Sequence, residues 1–293
     1  MRLRRTALIV PVLMVAAAGC APAGSDGKAA SEPSTSASGS SSTDACASGS
    51  LPTKTAGKLT VATDSPAYEP WFSDNDPSNG KGFESAVAYA VADKLGFDKG
   101  HVSWVKVPFN NSYAPGAKAF DFDINQISIT PDRQKVVDFS KPYYTATQAV
   151  VTLKKNAGKA TSLADLKKLK LGAQTGTTSL TAIREIVKPE QEPLVFNDSN
   201  APKQALLNGQ VDAVVFDLPT AFYITSAEIE GSTITGQFSG QGAEGDQFGM
   251  LFEKGNALRD CVDRAIAELT SDGTLAALEK QWLSDVVNVP VLQ

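Results

Sequence analysis

A single histidine, His101, and three cysteines supply all the imidazole and thiol in this 293-residue chain. A histidine-centred catalytic triad or a zinc site built from several imidazoles has too few ligands here. No C-x-x-C pair and no G-x-x-x-x-G-K-[ST] loop occurs, so a dithiol redox centre and a Walker-type nucleotide site are also without their residues. Basic residues are in the minority, 27 against 32 acidic, for a net charge of −5, which argues against a nucleic-acid partner. Runs long enough to cross a bilayer, roughly 18 apolar residues, are missing as well. What is present is 42% hydrophobic and 20% charged, the balance of a chain that buries a core. Its length suits two modest domains once non-globular ends are set aside.

The first residues have the form of an export address. Arg2, Arg4 and Arg5 precede twelve apolar or proline residues, Ala7 to Ala18, and the small pair Ala18-Gly19 stands before Cys20. Residues 1–19 are therefore expected to be a signal peptide. Ala-Ala-Gly-Cys resembles the bacterial lipobox, which implies lipidation of Cys20 and a protein tethered to the membrane through that lipid. Residues 21–50 hold 25 Ala, Gly, Ser, Thr or Pro among 30, too little apolar surface to offset ordering entropy. A flexible linker over 20–56 is expected, with folded structure from Gly57.

Beyond it, strand-like and helix-like segments alternate, as in α/β architectures. Lys58–Thr63, His101–Val107 and Phe122–Ile129 read as strands. Phe83, Ala86, Val87, Ala90, Val91 and Leu95 recur at helical spacing before Gly96. Pro131 opens a short helix, and Ser162 with Asp165 caps another ahead of the strand Leu169–Ala173. Leu194–Phe196 with Ala201–Leu207 and Val211–Phe216 with Pro219–Ser226 follow as strand–helix pairs. The extended segment Gln247–Phe252 leads to two final helices, one striped by Leu258, Cys261, Val262, Ala265, Ile266 and Leu269 and one by Leu275, Leu278 and Trp282.

Three segments carry a resemblance: Gly82-Phe-Glu84, Ser128-Ile-Thr-Pro-Asp-Arg-Gln-Lys135 with Val137-Asp-Phe-Ser-Lys-Pro-Tyr-Tyr144, and Gly172-Ala-Gln-Thr-Gly-Thr-Thr178. They resemble the extracellular solute-binding proteins, family 3, of bacterial amino-acid ABC transporters, from about Gly57 to Leu283. The resemblance implies an α/β type II periplasmic-binding-protein fold with two lobes, two crossing strands as hinge, and a ligand enclosed in the cleft. Gln148-Ala-Val-Val151 and Gln247-Phe-Gly-Met250 match the crossings. Lobe 1 is then expected at 57–148 and 246–293, with lobe 2 at 149–245. The implied activity is capture of a small polar amino acid outside the membrane and delivery to an ABC permease, by a monomer without cofactor or metal. An enzyme of dehydratase or transglycosylase type on the same fold, using Asp64 or Glu84 as general acid, is the alternative.

An amino acid presents a carboxylate and an ammonium, and both must be paired when desolvated. Arg133 suits the carboxylate through its planar fork, and Ser128 and Thr178 occupy positions that in the family donate to the same group. Thr177 and Thr178 open a helix after Gly176, and a capping role alone would also explain them. Asp217, after a strand and before Pro219, matches the ammonium acceptor, and equally suits a helix cap. Tyr68 and Phe109 are the aromatic candidates against the ligand side chain, with Trp71 structural. Asp64 often meets that side chain in the family. Asn125, Gln126 and Gln174 stand where the family varies with ligand, and their amides suggest a polar one. The acids Glu228 and Glu230 read as a solvated face. With Cys20 assigned to lipid, Cys46 and Cys261 form an even pair in an oxidising compartment, and a disulfide between them is expected.

Overall fold

The computed structural model describes residues 46–47, 49–240, 245–283 and 289–293. The expected signal peptide, Cys20 and the linker up to residue 45 lie outside these.

Among the described residues ten strands form two five-stranded sheets. The first part of the chain supplies β1 (Leu59–Thr63), α1 (Phe83–Lys94), β2 (Val102–Lys106), α2 (Phe109–Ser112), β3 (Phe122–Asp123), α3 (Pro131–Gln134) and β4 (Val137–Ala146). The chain then passes Thr147 into β5 (Gln148–Leu153), α4 (Leu163–Leu166), β6 (Leu171–Gln174), α5 (Thr178–Ala182), β7 (Leu194–Phe196), α6 (Asn200–Leu207), β8 (Ala213–Asp217), α7 (Leu218–Tyr223) and β9 (Ser232–Phe238). It returns as β10 (Asp246–Glu253), α8 (Leu258–Ser271) and α9 (Thr274–Trp282). Sheet 1 has the order β2-β1-β3-β10-β4 and sheet 2 the order β7-β6-β8-β5-β9. Among the described residues no helix is long and apolar enough to cross a membrane.

Each sheet is covered on both faces, which is why its strands are rich in Val, Ala, Leu and Phe. On sheet 1, Phe83, Val87 and Val91 of α1 and Leu258, Val262 and Ile266 of α8 pack with Trp71, Phe122, Phe248 and Phe252. Ala62, Phe120, Ile127, Val137, Phe139 and Leu251 form the core of the other face. Period-2 alternation divides β5 between the cores of sheet 2. Val150 joins Leu171, Ala173, Val215 and Ile183, while Ala149 and Val151 join Leu206, Val214, Phe216 and Ile224.

The structure departs from the sequence reading at five places. The strand expected over Phe122–Ile129 stops at Asp123, because Gln126 takes a left-handed backbone (φ 48°) and turns the chain. Ser128 rejoins sheet 1 through an isolated bridge to Phe248. β9 went unread in the polar stretch Ser-Thr-Ile-Thr-Gly-Gln-Phe, which owes its strand to pairing with β5. His101 closes a short turn instead of lying in a strand. The head begins before Gly57: Leu51 packs on the sheet 1 core, and Asp121 accepts the Lys54 backbone N–H at 2.6 Å. Finally, the chain end at 289–293 does not stay with sheet 1. Gln237 donates to Pro290 O and accepts from the Leu292 N–H, both at 2.8 Å, and Leu292 is buried in the core of sheet 2.

Cys46 and Cys261 are joined by a disulfide, with Cα atoms 5.5 Å apart and a sequence separation of 215. It fastens the start of the head to α8.

Candidate functional site

β1, β6 and β8 end at one cleft, the place where open α/β sheets bind ligands. About 810 Å³ of atom-free space lies there, partly open to solvent. The two lobes meet across it. Ser128 Oγ and Thr178 Oγ1 are hydrogen-bonded at 3.1 Å, and Trp71 Nε1 donates to Thr220 Oγ1 at 2.8 Å. Trp71 is thus a core residue of sheet 1 that also reaches the opposite lobe.

Arg133 is positioned by α3, whose Pro131 fixes the first turn and whose Thr130 side chain caps the Arg133 N–H. Only 8% exposed, its guanidinium donates from Nη1 to Ser128 O at 2.7 Å and from Nη2 to Gly176 O at 2.8 Å. The rings of Tyr113 and Phe109 stand 4.6 and 5.5 Å from it. No described acid pairs with it. Burial therefore lowers the tendency of this arginine to hold its proton, with the distant charges of Asp217 and Asp246 opposing. Arg133 lines a second opening shared with Gly176, Thr177 and Thr178 and not the main cavity. Phe109 accordingly backs the arginine as well as lining the cleft.

Asp217 sits at the end of β8. It stands at the N-cap of α7 but makes no side-chain cap there. Its carboxylate accepts instead from Gln148 Nε2 at 2.8 Å, while the same nitrogen donates to Asp246 Oδ2 at 2.7 Å. No described cation pairs with Asp217. Burial, reinforced by the Asp246 charge, pushes its carboxyl up to about 7, against the Gln148 hydrogen bond and the Arg133 charge.

The remaining expected residues fall into two groups. Asp64, Tyr68, Asn125, Ser128 and Thr178 line the cavity. Asp64 accepts from the Ser65 and Phe109 N–H groups at 2.6 and 3.2 Å, and burial raises its carboxyl above the ordinary value. Asn125 is 7% exposed with no partner for Nδ2 among the described residues. Thr177, Gln126 and Gln174 also border the cavity, but with side chains already engaged. Thr177 Oγ1 caps Leu180 N–H, Gln174 Oε1 accepts from Ser199 Oγ at 2.6 Å, and Gln126 Nε2 donates to Glu84.

Sequence reasoning passed over three features. Glu228 is exposed, as expected, but it is also paired: both its oxygens accept from buried Lys203 Nζ, at 3.0 and 2.7 Å, and Lys203 also stands 5.5 Å from the Tyr68 ring. Nothing in the sequence links positions 25 apart on separate turns. Gln148 counts in the sequence only as part of a crossing segment, and Asp246 only as the start of the return to lobe 1. Gly240, Gly242 and Gly245 have G-x-G-x-x-G spacing, yet the segment leads from β9 into β10 and not into a helix, so the dinucleotide-binding context is missing. Among the described residues no cluster of His, Cys, Asp or Glu could hold a metal.

The family description "Bacterial extracellular solute-binding proteins, family 3" matches residues 59–285. The L-cystine-binding protein TcyJ of Escherichia coli K12 is 31% identical over 218 residues, 73% of this chain and 79% of the relative. An ancestral arginine-binding protein solved with arginine is 33% identical at a TM-score of 0.66, covering 78% of this chain and 99% of that one. The ancestral amino acid-binding protein AncCDT-1, a precursor of cyclohexadienyl dehydratase, is 31% identical at 0.65, covering 78% and 96%.

Proposed function

Since the chain belongs to the family-3 bacterial extracellular solute-binding proteins, we propose that it captures a free amino acid in the cleft between its lobes and delivers it to an ABC permease. One observation carries the reading: among the described residues, a buried arginine without an acid and a half-buried aspartate without a cation stand in adjoining openings that share Thr177 and Thr178. An isolated buried charge is costly, and a zwitterion compensates both at once. The ligand carboxylate is assigned to Arg133, Ser128 and Thr178, and the ammonium to Asp217. Arg133 keeps donors for this beyond the two held by backbone carbonyls. Asp64, Tyr68, Asn125 and Phe109 face the ligand side chain. Because the carboxylate site is assembled from both lobes, ligand binding favours the closed arrangement by population shift.

The same reading includes a lobe 1 that starts ahead of residue 57 and runs to 148 with the return from 246, a lobe 2 at 149–245 joined by the chain end at 289–293, a cleaved signal peptide, and a monomer held at the extracellular face of the cell membrane by lipid on Cys20. The names of the relatives, cystine and arginine binders, make these two the first ligands to test. The absence of enzymatic activity is part of the proposal. Glu84, the other acid considered for catalysis, is fully buried and does not itself line the cavity, its carboxylate being held by Gln126 and Tyr143.

Calorimetric titration with the standard L-amino acids and L-cystine tests the reading. At least one should bind, and Arg133→Ala and Arg133→Lys should each weaken it at least tenfold with the fold intact, since an ammonium cannot reproduce the planar fork. Turnover of a substrate without binding of any amino acid would move the chain to the enzyme class.

A further inference from the structure

Glu84 is the second residue of α1 and has no exposed surface. Placed beside the Phe83 and Tyr143 core, its carboxylate has no cationic partner among the described residues. It is held instead by three donors: the Gln126 backbone N–H to Oε1 at 2.7 Å, Gln126 Nε2 to Oε2, and the Tyr143 hydroxyl to Oε1. Two of the three come from one residue, 42 positions away. That residue is the one whose backbone is left-handed, a conformation costly for a side chain with a Cβ.

The carboxylate therefore clamps both the main chain and the side chain of Gln126. The turn so fixed carries Asn125 into the cavity wall with its unpartnered Nδ2, and two residues later presents Ser128 to Thr178. We propose that Glu84 is a positioning residue for ligand recognition, holding the 125–128 turn so that Asn125 and Ser128 face the bound amino acid. This rests on the amino-acid reading of the cleft. Its physical content is preorganisation: a turn ordered beforehand loses less freedom when ligand binds.

Glu84→Gln keeps the volume but sets an NH2 group against that of Gln126. The strongest binder of the amino-acid panel should lose at least tenfold in affinity. Exchanging the partners, Glu84→Gln with Gln126→Glu, restores donor to acceptor and should recover most of the loss. Tyr143→Phe removes the third donor without touching the turn, and should lower the melting temperature while leaving affinity within about twofold. In ligand-free protein, hydrogen exchange at the Gln126 amide should quicken at least tenfold in Glu84→Gln but not in Tyr143→Phe. Wild-type affinity in Glu84→Gln, an equal affinity loss in Tyr143→Phe, or no recovery in the double variant would each overturn the proposal. If the wild type bound no amino acid, the cleft reading would fail by itself. The exchange rate would still decide the role of Glu84 in ordering the turn, an unchanged rate overturning it.

Discussion

Asp217 has to be ionised to receive an ammonium, yet burial and the nearby Asp246 hold its carboxyl at about 7 in the ligand-free protein. Ligand affinity should therefore fall by about tenfold per pH unit as pH drops below 7, because binding must then also remove a proton. Asp217→Asn should flatten that profile and weaken binding at pH 8. The profile of folding stability has the opposite sign. Asp217, Glu84 and Asp123 are all raised to about 7, in each case chiefly by burial. A carboxyl whose folded value lies above its unfolded one contributes stability that is fully present below pH ~4 and is lost as pH rises through about 7. From these groups, the ligand-free melting temperature should decline between pH 5 and pH 8 while the stabilisation added by ligand grows. Thermal melts with and without ligand across that range measure both. Affinity constant from pH 5.5 to 7.5 would remove Asp217 from the ammonium site.

At the scale of elements, the turn from β6 to α5 decides whether the lobes can meet. Gly176 has φ 74°, and a Cβ there would overlap Asn110 Oδ1 and the Tyr113 hydroxyl on the other lobe, while its carbonyl accepts from Arg133. Gly176→Ala should hold the lobes apart, leave each core folded, and weaken ligand by at least tenfold. Small-angle scattering should then show no contraction on addition of ligand; contraction equal to wild type would contradict this. The chain end is a second such element. Gly236 leaves the room that Leu292 fills, since a Cβ at 236 would overlap the leucine side chain. Leu292 is 4% exposed, so Leu292→Ala should cost about 2–4 kcal/mol in denaturant unfolding. A cost below about 0.5 kcal/mol would mean that the tail contributes nothing to the core of sheet 2.

The whole molecule is closed by the disulfide between Cys46 and Cys261. On the chain-entropy account, a bond spanning 215 residues restricts the unfolded chain by about 5 kcal/mol. Cys46→Ser with Cys261→Ser should lower the melting temperature by roughly 10 °C for a head of this size. Ligand affinity should hold within about threefold, since the bond lies at the α8 end of lobe 1 and not at the cavity wall. A comparable loss of affinity and of melting temperature would instead couple the bond to the cleft.

Sequence by itself determined whatever depends on neighbours a few residues apart. The stripe of Phe83, Val87 and Val91 makes α1, and the stripe of Leu258, Val262 and Ile266 makes α8. Thr130 and Ser162 cap their helices as hydroxyls do before a first turn, and a long motif around Arg133 identified a binding-protein segment. The cysteine pair was legible because the export signal expected from the sequence would limit what two remaining thiols can do. Tertiary structure alone decided the partners of polar groups far apart in the chain. Glu84 meeting Gln126, Lys203 meeting Glu228, and Gln148 bridging Asp217 and Asp246 all depend on how two sheets pass the chain back and forth. Burial leaves Glu84, Lys203, Gln148 and Asp246 little choice but to find a partner, and which partner each finds is set by the path of the backbone and not by local propensity.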